Sequence, residues 1–199
     1  MSTIDDMQIQ QIVQRVLKQV MGLHQQGTVP VDTPSVAETA PRSSAQTGVR
    51  KVVAIGADHG GFELKETLKA DLSGMGLDVN DVGTYSKAAV DYPDYAHEVA
   101  KLVSSGKAWR GIMIDGAGIG SCIVANKVPG VRAGMAYDYS SAVNSREHND
   151  TNVLTLGAGQ IGVTLAKQIV KTWLSTEFGG ERHVRRIEKI SMVEKLYLK

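Results

Sequence analysis

The chain has 199 residues, 42% of them hydrophobic, which suffices for one well-buried core, so a single domain with an appendage is expected. Twenty-two basic against twenty-one acidic residues leave a formal charge of +1, which excludes a global field towards nucleic acid or an anionic membrane; any anion must be captured locally. The single cysteine, Cys122, excludes an internal disulfide framework and fits a reducing, cytoplasmic setting, and neither secretion nor membrane insertion is expected.

Over residues 1–25, Ile9, Ile12, Val13, Val16, Leu17, Val20 and Met21 recur at three- and four-residue steps, placing one apolar stripe along a helix. Asp5 and Asp6 suit its first turn. Residues 26–50 then collect Pro30, Pro34, Pro41 and many small polar residues without periodicity, as a flexible linker does. From residue 51 the texture changes to short apolar runs alternating with helical patterns. Five strands are expected, in KVVAIG, LDVNDVG, GIMIDG, VRAGMAY and NVLTLG. One helix face carries Leu64, Leu68, Leu72 and Met75, another Ile161, Leu165, Ile169 and Trp173. A last helix carries Ile187, Ile190, Val193 and Tyr197. Alternation of this kind predicts a Rossmann-like α/β/α sandwich with a mostly parallel five-stranded sheet, whose ligand sites lie at the carboxyl ends of the strands.

Four polar clusters fall at strand ends. After the first strand, Asp58, His59 and the glycine pair Gly60–Gly61 offer a carboxylate, an imidazole and open backbone amides, the groups a sugar phosphate requires; a solvated turn is the plainer alternative. After the third, Asp115 leads into Gly116, Gly118, Gly120, Ser121 and Cys122. This glycine loop enters a helix and could hold an oxyanion. It also half-matches a dinucleotide fingerprint, with Asp138 about twenty residues on, which keeps a nicotinamide-dependent oxidoreductase as an alternative. Before the fifth strand, His148 and Asn149 could move a proton and hold a hydroxyl, or simply cap a helix. Finally Arg182, His183, Arg185 and Arg186 follow Gly179–Gly180, and arginine forks suit phosphate.

The strings ADHGGFELK, DVGTYS with DYPDYA, DGAGIGSCIVANKVPGVRA, SREHNDTNVLTLG and GGERHVRRIE, in this order over residues 51–199, resemble the ribose-5-phosphate isomerase B and galactose-6-phosphate isomerase family. The resemblance implies an aldose–ketose isomerase working through an enediolate without metal or cofactor. It implies a homodimer or tetramer with sites between subunits. Asp58 would hold substrate hydroxyls, and His59, Arg182 and Arg186 the phosphate. His148 with Asn149 would open the sugar ring, and the amides of Gly116 to Gly120, next to Ser121, would steady the enediolate. Ribose 5-phosphate is the leading substrate.

The chain departs from the family pattern at the bases. Asp115 stands where many members carry a catalytic cysteine, and Ser121 where another branch carries a glutamate; Ala117 replaces a threonine and Gly159 an arginine. Asp115 is therefore the expected base, although a free aspartate, with a pKa of roughly 4, is weak unless desolvated. Cys122 competes for the role, because a helix N-terminus favours a thiolate. A catalytically altered sugar-phosphate-binding cargo protein is the other alternative. The helix and linker of residues 1–50 resemble encapsulation peptides that direct enzymes into bacterial microcompartments, implying a shell or cargo protein as partner.

Overall fold

Short runs of Val, Ile, Leu and Met with hydrophobic residues on both faces form strands that must be covered twice, and the chain meets that demand with helices on either side of one sheet. The computed structural model describes residues 50–197. The expected helix over 1–25 and the linker over 26–50, Arg50 excepted, lie outside the described residues. Strands β1 (Val52–Ala57), β2 (Asp78–Asp81), β3 (Arg110–Asp115), β4 (Ala133–Met135) and β5 (Val153–Gly157) are all parallel, in the order β2-β1-β3-β5-β4. Between them run α1 (Phe62–Gly74), α2 (Tyr92–Ser104), α3 (Ile119–Ala125) and α4 (Tyr139–Glu147). Helices α5 (Val163–Ser175) and α6 (Val184–Tyr197) follow β5, with a 3₁₀ turn at Glu181–His183 before α6.

Alternate strand residues divide into two cores. Val53, Ile55, Ile112, Ile114, Leu154 and Leu156 meet Leu64, Leu68 and Leu72 of α1 and Ile169 and Trp173 of α5. On the other face, Ala54, Met113 and Val153 meet Ala96, Val99, Ala100 and Val103 of α2 and Ala125 of α3. Two expected helix-face residues fall beyond their helices. Met75 is the exposed C-cap of α1, and Ile161 is buried in the turn before α5. The last helix forms as expected, yet α6 buries none of its side chains in its own protomer: Ile190, Met192, Val193, Leu196 and Tyr197 are all exposed.

The chain winds from β1 outward to β2, then back to β3 and on in the other direction, so the switch point of the sheet lies between the carboxyl ends of β1 and β3. At the opposite end, Arg110 opens β3 while only 3% exposed. Its Nη1 donates to the carbonyls of Trp173 (2.8 Å) and Leu174 (2.9 Å), closing the last turn of α5. Its guanidinium lies 4.1 Å from the Trp109 ring and 5.0 Å from the Trp173 ring. Burial, reinforced by Arg146, pulls this guanidinium down to about 10.

Candidate active site

Two half-sites form, one at each end of the sheet. At the switch point, Asp58 follows β1 and Asp115 ends β3. Asp58 is buried, and among the described residues only the Gly61 amide (3.0 Å) reaches its carboxylate. Gly61 packs so closely on β3 that a Cβ there would come 2.3 Å from the Ile114 carbonyl, which no side chain permits. The two glycine turns thereby touch: a Cβ on Gly60 would lie 3.3 Å from Asp58 Oδ1 and 3.6 Å from the Gly116 amide. The exposed His59 ring pairs through Nδ1 with the backbone of Val90 (3.2 and 3.3 Å), in the segment leading to α2. Tyr92, the first residue of α2, lies over Gly120, where a Cβ would meet its ring at 2.5 Å. From the β5 side, the amides of Ala158 (2.8 Å) and Gly159 (3.0 Å) donate to the carbonyls of Asp115 and Gly116, closing the loop.

Asp115, expected as the base, is turned into its own loop. Its Oδ1 accepts from the amides of Ala117 (2.8 Å) and Gly118, and its Oδ2 from the amide (3.2 Å) and hydroxyl of Ser121. A carboxylate has about four lone-pair positions, and all four are filled here. The carboxylate is 4% exposed and Ser121 wholly buried, so this arrangement presents neither oxygen as a free proton acceptor. Three amides of the loop expected to hold an oxyanion thus converge on the carboxylate of Asp115 itself. Gly118 itself sits at φ +79, the left-handed conformation that turns these amides inward.

The thiolate reading of Cys122 is corrected in direction. Burial pushes its thiol up, and the Asp115 charge adds to that push against weaker hydrogen bonds from Thr155, Met135 and Asn126. Its Sγ lies 3.5 Å from the Ala133 carbonyl. It behaves as a small, half-buried side chain held as the thiol. The dinucleotide alternative also loses its anchor. Asp138 caps α4, accepting from the Ser141 amide at 2.6 Å in a capping box, and the glycine loop follows β3, not the first strand of a mononucleotide unit.

The second half-site gathers His148, Asn149, Arg182, His183 and Arg186. His148 is the C-cap of α4, just ahead of the amino end of β5. In a parallel sheet this is the end remote from Asp58 and the glycine loop, so one protomer does not bring the two sets of expected residues together. The turn holding His148 is clamped. Asp150 sits at φ 44, and Arg132 donates to its carbonyl (2.8 Å) and carboxylate (2.6 Å) and to the Asn149 carbonyl (3.2 Å). Arg146 binds the other Asp150 oxygen (2.8 Å) and the Thr151 carbonyl. The His148 and His183 rings stack with centroids 4.2 Å apart and planes 13° from parallel. Burial, then the charges of His148, Arg182 and Arg186, pushes His183 down, favouring its neutral form. Arg182, Arg185, Arg186 and Lys189 line a cavity of about 290 Å³. A larger one of about 630 Å³ runs beside the free edge of β4, lined by Arg132, Asp138, Asn144 and Asn149 among others.

Sequence reasoning did not single out Tyr92, Arg132 or Asn144. Tyr92 and Arg132 lie inside strings that carry the resemblance, whereas nothing about a polar residue in mid-helix marks Asn144.

A parallel sheet with a glycine nest at its switch point and a histidine–arginine cluster at its other end is the frame of a sugar-phosphate isomerase. Residues 53–190 match the family described as Ribose/Galactose Isomerase. The chain is 46% identical to "Ribose-5-phosphate isomerase B" of Escherichia coli strain K12, over 72% of this chain and 97% of that one. It is 43% identical to "D-erythrulose-4-phosphate isomerase" of Pectobacterium atrosepticum, over 71% of this chain and 94% of that one. Among solved structures, ribose-5-phosphate isomerase B of Clostridium thermocellum superimposes with a TM-score of 0.72 at 48% identity, covering 73% of this chain and 99% of that one. The chain belongs to the ribose/galactose isomerase family.

Proposed function

We propose that the chain interconverts an aldose phosphate and a ketose phosphate, with ribose 5-phosphate as the leading substrate, at sites built between two copies of itself. The observation that carries this reading is the separation of two complementary half-sites. The Asp58–His59–glycine-loop mouth has a carboxylate and amides for proton transfer and oxyanion binding, and the His148 cluster has the imidazole and the arginines. The largely exposed apolar face of α6 supplies a surface for the second copy, in a homodimer or a dimer of dimers.

In the reaction, Arg182 and Arg186 from one copy, with His59 from the other, hold the phosphate. His148 opens the ring. A base at the mouth removes the proton on C2, the remaining loop amides hold the negative oxygen of the enediolate, and the proton returns to C1 while the proton of the C2 hydroxyl passes to O1, leaving the ketone at C2. Asp58 has the uncommitted carboxylate oxygen at this mouth, so it is assigned the proton transfer; Asp115 is assigned to holding the nest in shape. Neither a metal nor a cofactor enters this scheme.

The commitment of Asp115 favours one second reading, a cargo protein that binds sugar phosphates without turning them over. Incubating the protein with ribose 5-phosphate in deuterium oxide separates the two. Ketose formation with deuterium at C1 of the ketose, and at C2 of the aldose re-formed from it, is the expected result, and tight binding with neither ketose nor exchange overturns the isomerase reading.

Residues 1–25 are proposed to address this otherwise cytoplasmic enzyme to a bacterial microcompartment, supported by the apolar stripe of Ile9, Val13, Val16 and Val20 ahead of a Pro- and Ser-rich tether. Removing residues 1–45 should leave turnover intact while abolishing co-localisation with shells; loss of turnover on truncation would contradict it.

A further inference from the structure

The isomerase reading gives His148 the task of opening a sugar ring. To break the bond between C1 and the ring oxygen, an imidazole N–H must deliver its proton to that oxygen, which keeps the bonding electron pair. The C1 hydroxyl meanwhile becomes the carbonyl, its proton passing through water back to the imidazole, which is left neutral. The step therefore depends on which ring nitrogen carries hydrogen.

Neighbouring amides decide this. Asn149 Nδ2 donates to both the side-chain Oδ1 and the backbone carbonyl of Asn144, each at 3.2 Å. With its oxygen so engaged, Asn144 turns its Nδ2 to His148 Nδ1, 2.9 Å away. An amide NH₂ only donates, so Nδ1 is an acceptor and the ring proton resides on Nε2. The Glu147 carboxylate lies 3.9 Å from Nε2. The stacked His183 ring fixes the plane of His148. Arg182 Nε donates to His183 Nε2 at 3.3 Å, which puts that ring's own hydrogen on Nδ1, an atom buried without a partner. The charged groups around the pair are thus Glu147 on α4 and Arg182 and Arg186 ahead of and on α6.

We infer that Asn144 is a positioning residue for ring opening: held by Asn149, it fixes His148 as the Nε2–H tautomer over the His183 ring, leaving Nε2 as the proton donor. This inference rests on the isomerase reading for its purpose, but not for its geometry.

Asn144 is exposed, so replacements there leave the fold in place. Asn144→Leu removes the donor, and Asn144→Asp substitutes an acceptor of nearly the same shape. In the full chain labelled with ¹³C,¹⁵N-histidine, the His148 ring shifts should report Nε2–H in the wild type and move to Nδ1–H in Asn144→Asp. Turnover is compared on ribose 5-phosphate and on erythrose 4-phosphate, whose O4 carries the phosphate and which has no furanose ring to open. The ratio of the two rates should fall at least about tenfold in both variants. An unchanged tautomer in Asn144→Asp, or an unchanged ratio, overturns the inference. A wild type that turns over neither sugar would instead sink the isomerase reading, while the NMR arm still decides the tautomer.

Discussion

A one-to-one mixture of Asp58→Ala and His148→Ala chains, reassociated after subunit exchange, is expected to recover about a quarter of wild-type turnover, although each variant alone is nearly inactive. Random pairing makes half of the dimers mixed. In each mixed dimer one site collects both damaged halves and the other collects both intact ones. The expectation follows from topology. Asp58 comes after the carboxyl end of β1 and His148 before the amino end of β5 in an all-parallel sheet, so one protomer cannot supply both to one sugar. Each single change should lower turnover on the order of a hundredfold or more, the usual loss when an acid or base is removed. Steady-state rates on the exchanged mixture are the measurement. If the mixture stays as inactive as its parents while forming mixed dimers, the two half-sites do not meet.

The second large effect concerns stability. Asp115→Asn should lower the unfolding free energy by about 3 kcal/mol, seen as a fall in the denaturant midpoint. The carboxylate accepts from three amides and a hydroxyl in a buried loop, and an asparagine offers one acceptor oxygen and sets an NH₂ against donors. Removing only the Ser121 hydroxyl, with Ser121→Ala, should cost about 1 kcal/mol, because the amides retain their acceptor. A variant Asp115→Asn with an unaltered midpoint and abolished turnover would return the base to Asp115 and free the nest for another role.

These two cases mark where sequence reading reached and where it stopped. The sheet was legible because apolar β-rich runs such as KVVAIG and GIMIDG are spaced by helical patterns, and the register of the cores follows from strand alternation. The glycine loop was legible as an anion nest because the backbone alone forms it. What fills the nest was not, since nothing in a string of residues tells whether Asp115 faces a substrate or folds back onto Ala117, Gly118 and Ser121. Cys122 illustrates the same limit: a place near a helix N-terminus suggests a thiolate, but burial beneath β4 pushes the thiol the other way. Asp138 had only its spacing to recommend it for a dinucleotide, and its capping bond to Ser141 gives the carboxylate a different task. Asn144 left no trace at all, because an orienting hydrogen bond is a property of geometry, not of pattern.

The chain has two tryptophans, Trp109 and Trp173, and both rings lie against the one guanidinium of Arg110. Trp173 also donates from its indole nitrogen to Thr151, next to the Asp150 turn that Arg146 clamps behind His148. All indole emission from this protein therefore originates at one floor of the sheet, on the histidine side. A sugar settling over His148 has a built-in optical reporter a few residues away, whereas the glycine loop of the same protomer lies at the far end of the strands, so that only a partner's loop closing on that sugar could register.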